Sequence, residues 1–370
     1  MRVALVHELL TMKGGAERVL RVFARMFPDA PIYTLLYDES LMRDWFPKER
    51  VRPSHVQQRA YRLPPTAHRY NHHLYLRAFP QAVEAWDFSD FDLVLSSSSA
   101  FAHGIITNGN PKHVSYVHAP ARYLWDRTQD VIERAPAITR PYLRSTFHQL
   151  RTWDSEAADR ADTVVAASRD VQRRIELYWR RHSEVLHPPI ADHWFTPRTI
   201  RNSQLATRNY FLVVSTLAPY KRIDLAIEAC NAAKLPLKIV GSGPARASLE
   251  RLAGPTIEFL GYREQEELKA IYAGAKALIV PGEEDFGLAA VESLACGIPV
   301  VAYKSGGLLE TVSEGETGTF FERPEADALR ETLLQFDHKK YSAENCRLSS
   351  EKFSESNFEH QIRSIIEQTM

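Results

Sequence analysis

Ala277-Leu278-Ile279-Val280-Pro281-Gly282-Glu283-Glu284-Asp285-Phe286-Gly287-Leu288-Ala289-Ala290-Val291-Glu292 joins a short apolar run to the first turns of an amphipathic one. The run is of strand length, Pro281-Gly282 turns the chain, and a helix is expected from Phe286 to Cys296, before Gly297 and Pro299. This strand-turn-helix order is the one on which α/β proteins hold anionic ligands. The free amides of Phe286, Gly287 and Leu288 would face a phosphate or sugar oxygen, and Gly287 would let it come close to the backbone.

Glu284 and Glu292 flank that helix start. If every intervening residue were helical they would lie about 12 Å apart at 1.5 Å per residue. A glycosidase pair needs about 5 to 9.5 Å. The two are therefore read as holding opposite ends of one extended ligand, with Glu284 at the reacting end.

Working outward, strand-length apolar runs alternate with helical patterns along the whole chain. The runs fall at residues 3–6, 32–36, 93–96, 114–117 and 163–167, then at 211–215, 237–240, 257–260, 278–280, 300–302 and 319–321. The expected fold class is α/β, two doubly wound Rossmann-like domains whose parallel sheets face across a cleft. A chain of 370 residues exceeds one core, consistent with an N-terminal domain over 1–190 and a C-terminal domain over 205–349. The proline-bearing His187-Pro188-Pro189-Ile190 and the polar residues 196–208 mark the linker. A last helix over 350–370 carries a stripe of Phe353, Phe358, Ile362, Ile365 and Ile366.

Composition narrows the function. Lys plus Arg equals Asp plus Glu, 46 against 46, so no global field points to nucleic acid. Up to Ile190 there are 26 basic and 21 acidic residues, a net of +5. The excess concentrates between Arg43 and Arg77, where Trp45, Phe46, Tyr61, Tyr70 and Tyr75 are interleaved. Such a segment suits an anionic membrane surface or a lipid-linked phosphate, although an ordinary solvated helix face has the same composition. Neither a signal-peptide core nor a span of ~20 apolar residues is present, and three scattered cysteines fit a reducing compartment, so a cytoplasmic location, peripheral to the inner face of the membrane, is expected.

Several strand ends carry chemistry. Gly14-Gly15 opens a helix after the first strand without completing a dinucleotide fingerprint. His118, in Tyr116-Val117-His118-Ala119-Pro120, would stand at the lip of the cleft. Lys221 and Arg222 follow the strand from Phe211 and could neutralise a diphosphate without a metal. Gly241 opens a small turn fit for a ribose or base. Asp90-Phe91-Asp92 lies before its strand rather than after it, so no metal site is assigned, and Ser96 to Ser99 lack a nucleophile elbow.

In order and spacing these segments resemble the family-4 retaining glycosyltransferases of the GT-B fold, of the bacterial surface-polysaccharide, mannosyltransferase-like type. The carriers are Val6-His7-Glu8 with Gly14-Gly15, Phe27-Pro28-Asp29-Ala30-Pro31-Ile32-Tyr33-Thr34, the His118 segment, Pro219-Tyr220-Lys221-Arg222-Ile223-Asp224, the Glu284/Glu292 pair and Ser305-Gly306-Gly307. The resemblance implies metal-free transfer of a hexose from a nucleotide sugar to a saccharide or lipid-linked saccharide, with GDP-mannose favoured over a UDP-sugar and no further cofactor. It implies that Glu284, Phe286, Gly287 and Leu288 hold the donor sugar, Glu292 the ribose, and Lys221 the diphosphate, with Gly15 approaching it and His118 touching the sugar. Thr216, Arg222 and Gly241 complete the implied donor site, and Glu8 and Gly14 border the acceptor.

Two positions depart from the pattern. The family's Gly-Arg or Ser-Arg is here Ser215-Thr216, which removes a diphosphate arginine, and Glu8 stands where relatives have aspartate. A sugar-nucleotide epimerase and a binding protein that has lost turnover are the alternative readings; Thr216 is the hint of the second.

Overall fold

The computed structural model of the chain describes residues 1–61, 75–195 and 208–370, with backbone alone at 59–61. The chain divides into two compact units, Met1–His187 with Glu359–Met370, and Pro188–Phe358. The expected linker residues 196–207 lie outside the described residues, as do residues 62–74 of the basic, aromatic-rich segment.

Among the described residues the first unit holds seven parallel strands: β1 (Val3–Leu10), β2 (Ile32–Tyr37), β3 (Val51–Pro53), β4 (Leu93–Ser98), β5 (Lys112–Val117), β6 (Thr163–Ala166) and β7 (Glu184–Val185). Their order is β3-β2-β1-β4-β5-β6-β7. The described residues of the second hold six: β8 (Tyr210–Val214), β9 (Leu237–Val240), β10 (Ile257–Gly261), β11 (Ala275–Val280), β12 (Val300–Tyr303) and β13 (Gly318–Phe321), in the order β10-β9-β8-β11-β12-β13. Each is a doubly wound sheet.

Strand periodicity explains why both sheets are covered on two faces. In the second unit Leu212, Leu278 and Val300 belong to one core, with Trp194, Ala290 and Leu294. Their neighbours Phe211, Val213, Ile279 and Val301 belong to the other, with Ile223 and Ile227 of the helix Ile223–Ala233. Alternate side chains thus feed opposite layers, and the strands read as continuous apolar runs because neither face meets water. In the first unit Ala4, Val6 and Val94 pack with Phe79 and Phe147.

The order of strands fixes where a ligand can sit. In each unit the chain winds outward from the central strand, then returns to lay the next strand on its other side. β1 and β4, and likewise β8 and β11, are therefore adjacent while their following loops diverge. That divergence opens a crevice at the carboxyl ends of the strands.

Three local expectations need correction. β3 and β7 have only three and two residues, too short to register as periodic runs. The helix after β11 runs Leu288–Ala295 rather than starting near Phe286. Phe353 belongs to a single 3₁₀ turn, Glu351–Phe353, ahead of the last helix, Glu355–Thr369. From Glu359 onward that helix belongs to the first unit, where Thr369 and Thr163 share a hydroxyl contact at 2.8 Å.

Candidate functional site

In the second unit the crevice lies between the loops after β8 and β11. The β8 loop ends in a 3₁₀ turn, Pro219–Lys221. The β11 loop passes so close that a Cβ on Gly282 would stand 2.7 Å from the Lys221 carbonyl oxygen. This approach lets Lys221 Nζ donate to Glu284 Oε2 at 2.5 Å. Burial alone would favour the neutral amine, but the Glu284 carboxylate, with Tyr220 and Asp285, outweighs it and raises the Lys221 pKa. The ammonium is thus a fixed positive charge at a switch point.

Glu284 is held from its far side. Gly307 N–H donates to the Glu284 carbonyl at 2.9 Å, and Gly306, at φ +60°, leaves no room for a Cβ, which would meet the same oxygen at 2.3 Å. Gly287 caps the next helix at φ +92°, a left-handed conformation that favours glycine. The Ala290 and Val291 N–H groups already bond to the Gly287 carbonyl. The amides of Leu288 and Ala289 precede the intrahelical ladder, so the set expected over Phe286 to Leu288 begins two residues later and ends one later.

The Phe286 ring is turned into the core, edge-on to Phe353 with centroids 5.2 Å apart. Glu292 is 3% exposed and accepts from Tyr272 Oη at 3.4 Å. Because the chain is helical only from Leu288, the helical spacing assumed for Glu284 and Glu292 does not apply. Gly241, at φ +135°, lies against the β8 loop, where a Cβ would stand 1.9 Å from the Ser215 carbonyl oxygen. Thr216 is exposed, and its carbonyl accepts from the Ser215 hydroxyl at 3.1 Å. Arg222 binds Asp224 through Nε and Nη2 at 3.1–3.3 Å, so its guanidinium is committed to a carboxylate of its own helix.

In the first unit the equivalent ends of β1, β4 and β5 carry a buried polar system on both faces of the sheet. His7 pairs in register with Ser97, and Ser97 with Tyr116, so His7, Ser97 and His118 point to one side. Ser97 Oγ lies 2.8 Å from His118 Nε2 and 3.1 Å from His7 Nδ1. His7 Nε2 faces Glu17 Oε1 at 3.5 Å, and Glu17 Oε2 accepts the Gly14 N–H at 2.9 Å, which ties Gly14 and the helix Gly15–Met26 to the histidines.

On the opposite face Glu8 Oε1 accepts from the Ser98 hydroxyl and from the Ser99, Ala100, Phe101 and Ala102 amides at 2.7–3.1 Å. Burial would raise the Glu8 pKa; neighbouring His7 and these amides more than reverse it, and the carboxyl titrates below its ordinary value. Ser98 continues to His103, whose Nε2 faces the Asp154 carbonyl at 3.2 Å. Asp154 Oδ2 in turn accepts from the Trp125 and Trp179 indoles at 2.8 and 2.6 Å.

Sequence reasoning found His118, Glu8, Gly14 and Gly15 but not Ser97, Glu17, His103 or Asp154. The available signal was the serine run that ends β4, whose alternation puts Ser97 on one face and Ser96 and Ser98 on the other. In the basic segment, the part described is largely committed. Arg50 donates to the Ala24, Phe27 and Ala30 carbonyls, and Lys13 and Arg21 lie 5.5 and 5.2 Å from the Trp45 ring centre.

Two doubly wound domains, each with its polar residues at the switch point, define the GT-B class. Residues 13–193 match the model of Glycosyltransferase Family 4 and residues 197–353 that of Glycosyl transferases group 1. The chain belongs to the group 1, family 4 glycosyltransferases. An uncharacterized glycosyltransferase of Methanocaldococcus jannaschii is 32% identical over 155 residues, 40% of this chain and 44% of that protein. A GDP-mannose-dependent alpha-(1-6)-phosphatidylinositol dimannoside mannosyltransferase of Mycobacterium tuberculosis is 35% identical over 147 residues, 38% of this chain and 36% of the relative. The matches therefore span less than half the length of these relatives. Anabaena HepE, solved with UDP and glucose, superposes with a TM-score of 0.72 at 18% identity over 99% of each chain, a likeness of fold.

Proposed function

We infer that the protein is a retaining glycosyltransferase that moves a hexose from a nucleotide sugar to a saccharide or lipid-linked saccharide acceptor in surface-polysaccharide synthesis. The observation that carries this reading is the Lys221–Glu284 pair at the β8/β11 switch point, beside the amides of a helix start. A diphosphate brings two negative charges. Lys221 would exchange part of its contact with Glu284 for a phosphate oxygen, and the Leu288 and Ala289 amides would meet a second anionic or hydroxyl oxygen.

Glu284, released toward the sugar, accepts from its hydroxyls, and Glu292 with Gly241 lines the ribose side. Gly15, Gly14 and His118 are first-unit contacts to the donor and acceptor. Transfer with retention then proceeds by front-face substitution: the leaving phosphate oxygen takes the acceptor proton while positive charge develops at the anomeric carbon. The protein's part is electrostatic, carried by Lys221 and fixed amides with no metal. Arg222 stands in for the arginine absent at Thr216 by exchanging its half-exposed contact with Asp224 for the diphosphate, as Lys221 exchanges its contact with Glu284.

GDP-mannose is the favoured donor, on the strength of the mannosyltransferase relative; UDP-glucose is the competitor. A thermal-shift comparison of the two separates them, since a ligand at 100 times its dissociation constant adds about 2.7 kcal/mol. In a transfer assay with the donor so identified, Lys221→Ala is expected to lower kcat by about 10²–10³. Turnover by that variant within twofold of the parent would sink the reading; binding without turnover in the parent would instead favour a nucleotide-sugar-binding protein. No described helix is long and apolar enough to cross a membrane. A peripheral position on an anionic cytoplasmic surface is part of the proposal, with the segment 43–77 as the contact.

A further inference from the structure

The two ring nitrogens of His118 have different surroundings. Nε2 lies 2.8 Å from Ser97 Oγ, while Nδ1, on a half-buried ring, makes no hydrogen bond among the described residues. Which nitrogen carries the proton is settled at His7. Its Nδ1 lies 3.1 Å from the Ser97 carbonyl oxygen, an atom that can only accept, so Nδ1 must carry hydrogen. The same N–H also lies 3.1 Å from Ser97 Oγ. The hydroxyl oxygen is thus faced by a donor on the His7 side, and its own hydrogen is left for His118 Nε2.

Charge supports the same direction. Burial opposes protonation of His7, but the Glu17 contact, with Glu8 nearby, outweighs it and raises the His7 pKa. His118 is pushed down to about 3, by burial first and then by His7, with Glu8 opposing. His118 is therefore neutral with a single ring proton.

We propose that Ser97 and His7 are positioning residues that lock His118 in its Nδ1–H tautomer, making it a hydrogen-bond donor to a ligand oxygen. The ligand half rests on the reading of His118 as a nucleotide-sugar contact; the tautomer half does not. That oxygen is a phosphate oxygen or a sugar hydroxyl, both of which accept from N–H.

The test is long-range proton–nitrogen NMR on the full chain labelled with ¹⁵N-histidine, with His118→Asn identifying the signal. The parent is expected to show a protonated Nδ1 and a bare Nε2; a protonated Nε2 overturns the relay whatever the chain binds. Ser97→Ala is expected to give a mixture of tautomers and Ser97→Thr to keep Nδ1–H; an unchanged tautomer in Ser97→Ala also overturns it. Saturating GDP shifts the Nδ1 resonance if a phosphate oxygen is the partner, and GDP-mannose alone shifts it if a sugar hydroxyl is. Bound ligand with no shift removes the ligand half.

In a transfer assay Ser97→Ala should lower kcat/KM about tenfold, restored by Thr. An unmoved value in a chain whose tautomer has changed also removes the ligand half. A chain with the expected tautomers that binds no nucleotide sugar refutes the proposed function and leaves the relay standing.

Discussion

Glu8→Ala is expected to lower the stability of the first unit by about 3–5 kcal/mol, the range for removing one partner from a buried charged network. The magnitude follows from what one oxygen does. Oε1 takes four backbone amides and the Ser98 hydroxyl, and of these the Phe101 and Ala102 amides and the hydroxyl are buried. Alanine leaves those donors without an acceptor. At about 2–4 °C per kcal/mol for a domain of this size, the midpoint should fall by roughly 10 °C. Intrinsic fluorescence reports the unit selectively, because Trp45, Trp86, Trp125, Trp153 and Trp179 lie in it and Trp194 in the other.

The pH dependence has a definite sign. The folded-state pKa of Glu8 is depressed, so its contribution is fully present above the ordinary glutamate value and is lost as pH falls through the folded one. Glu8→Ala should therefore flatten the acid limb of the stability profile. Glu8→Asp should behave as a partial loss, since withdrawing the carboxylate by one methylene takes Oε1 away from the amides of residues 99–102. A midpoint within 2 °C of the parent for both variants would refute the idea that this carboxylate builds the loop. It would return Glu8 to the acceptor-contact role expected from the sequence.

Asp154 should respond in the opposite sense. Burial raises its pKa despite His103 and two indole donors, so stability falls as pH rises from the ordinary aspartate value through the folded one. Asp154→Asn should remove that slope at a cost below about 1 kcal/mol, whereas Asp154→Ala, leaving two indole N–H groups unpaired, should cost about 2–4 kcal/mol; denaturation across pH 3.5–7 measures both. Gly307→Ala would place a Cβ 2.4 Å from the Asp285 carbonyl oxygen and 2.5 Å from Phe286 Cα. The Glu284 loop must then shift, so calorimetry with the nucleotide sugar should show at least about tenfold weaker binding, of the kind a misplacement of about 1 Å produces.

The sheets were legible because their strands are buried on both sides. Val213, Leu212 and Phe211 serve different cores, and only an uninterrupted apolar run can do that. β3 and β7 escaped for the complementary reason. Val51-Arg52-Pro53 and Glu184-Val185 are edge strands, one containing a proline that can sit only where no ladder bond is needed, and neither is long enough to show a period. The helix start at Leu288 was misplaced because Phe286 is a good helix former by pattern; its ring is drawn into the core against Phe353, and Gly287 turns left-handed to allow it. Pattern records burial and cannot say which backbone carries it.

Site residues divide along the same line. Lys221 and Glu284 could be named because a charge at a strand end has few bland explanations, but their mutual contact depends on Gly282 and Gly306, whose lack of a side chain is what lets three loops touch. Arg222 is paired as Lys221 is, but with a carboxylate two residues along its own chain segment rather than one from another loop, a local contact its sequence neighbours already suggest. The serines at the end of β4 show the limit most clearly. Four consecutive hydroxyls read as a polar loop, yet Ser96, Ser97 and Ser98 are wholly buried, and parity alone sends Ser97 to the histidines and Ser98 to Glu8. A strand of apolar residues announces itself through hydrophobicity; one whose side chains satisfy each other through hydrogen bonds carries the same alternation without the signal. The polar machinery of the first unit is thus set by register, which pairs His7 with Ser97 and becomes visible only once β1 and β4 lie side by side.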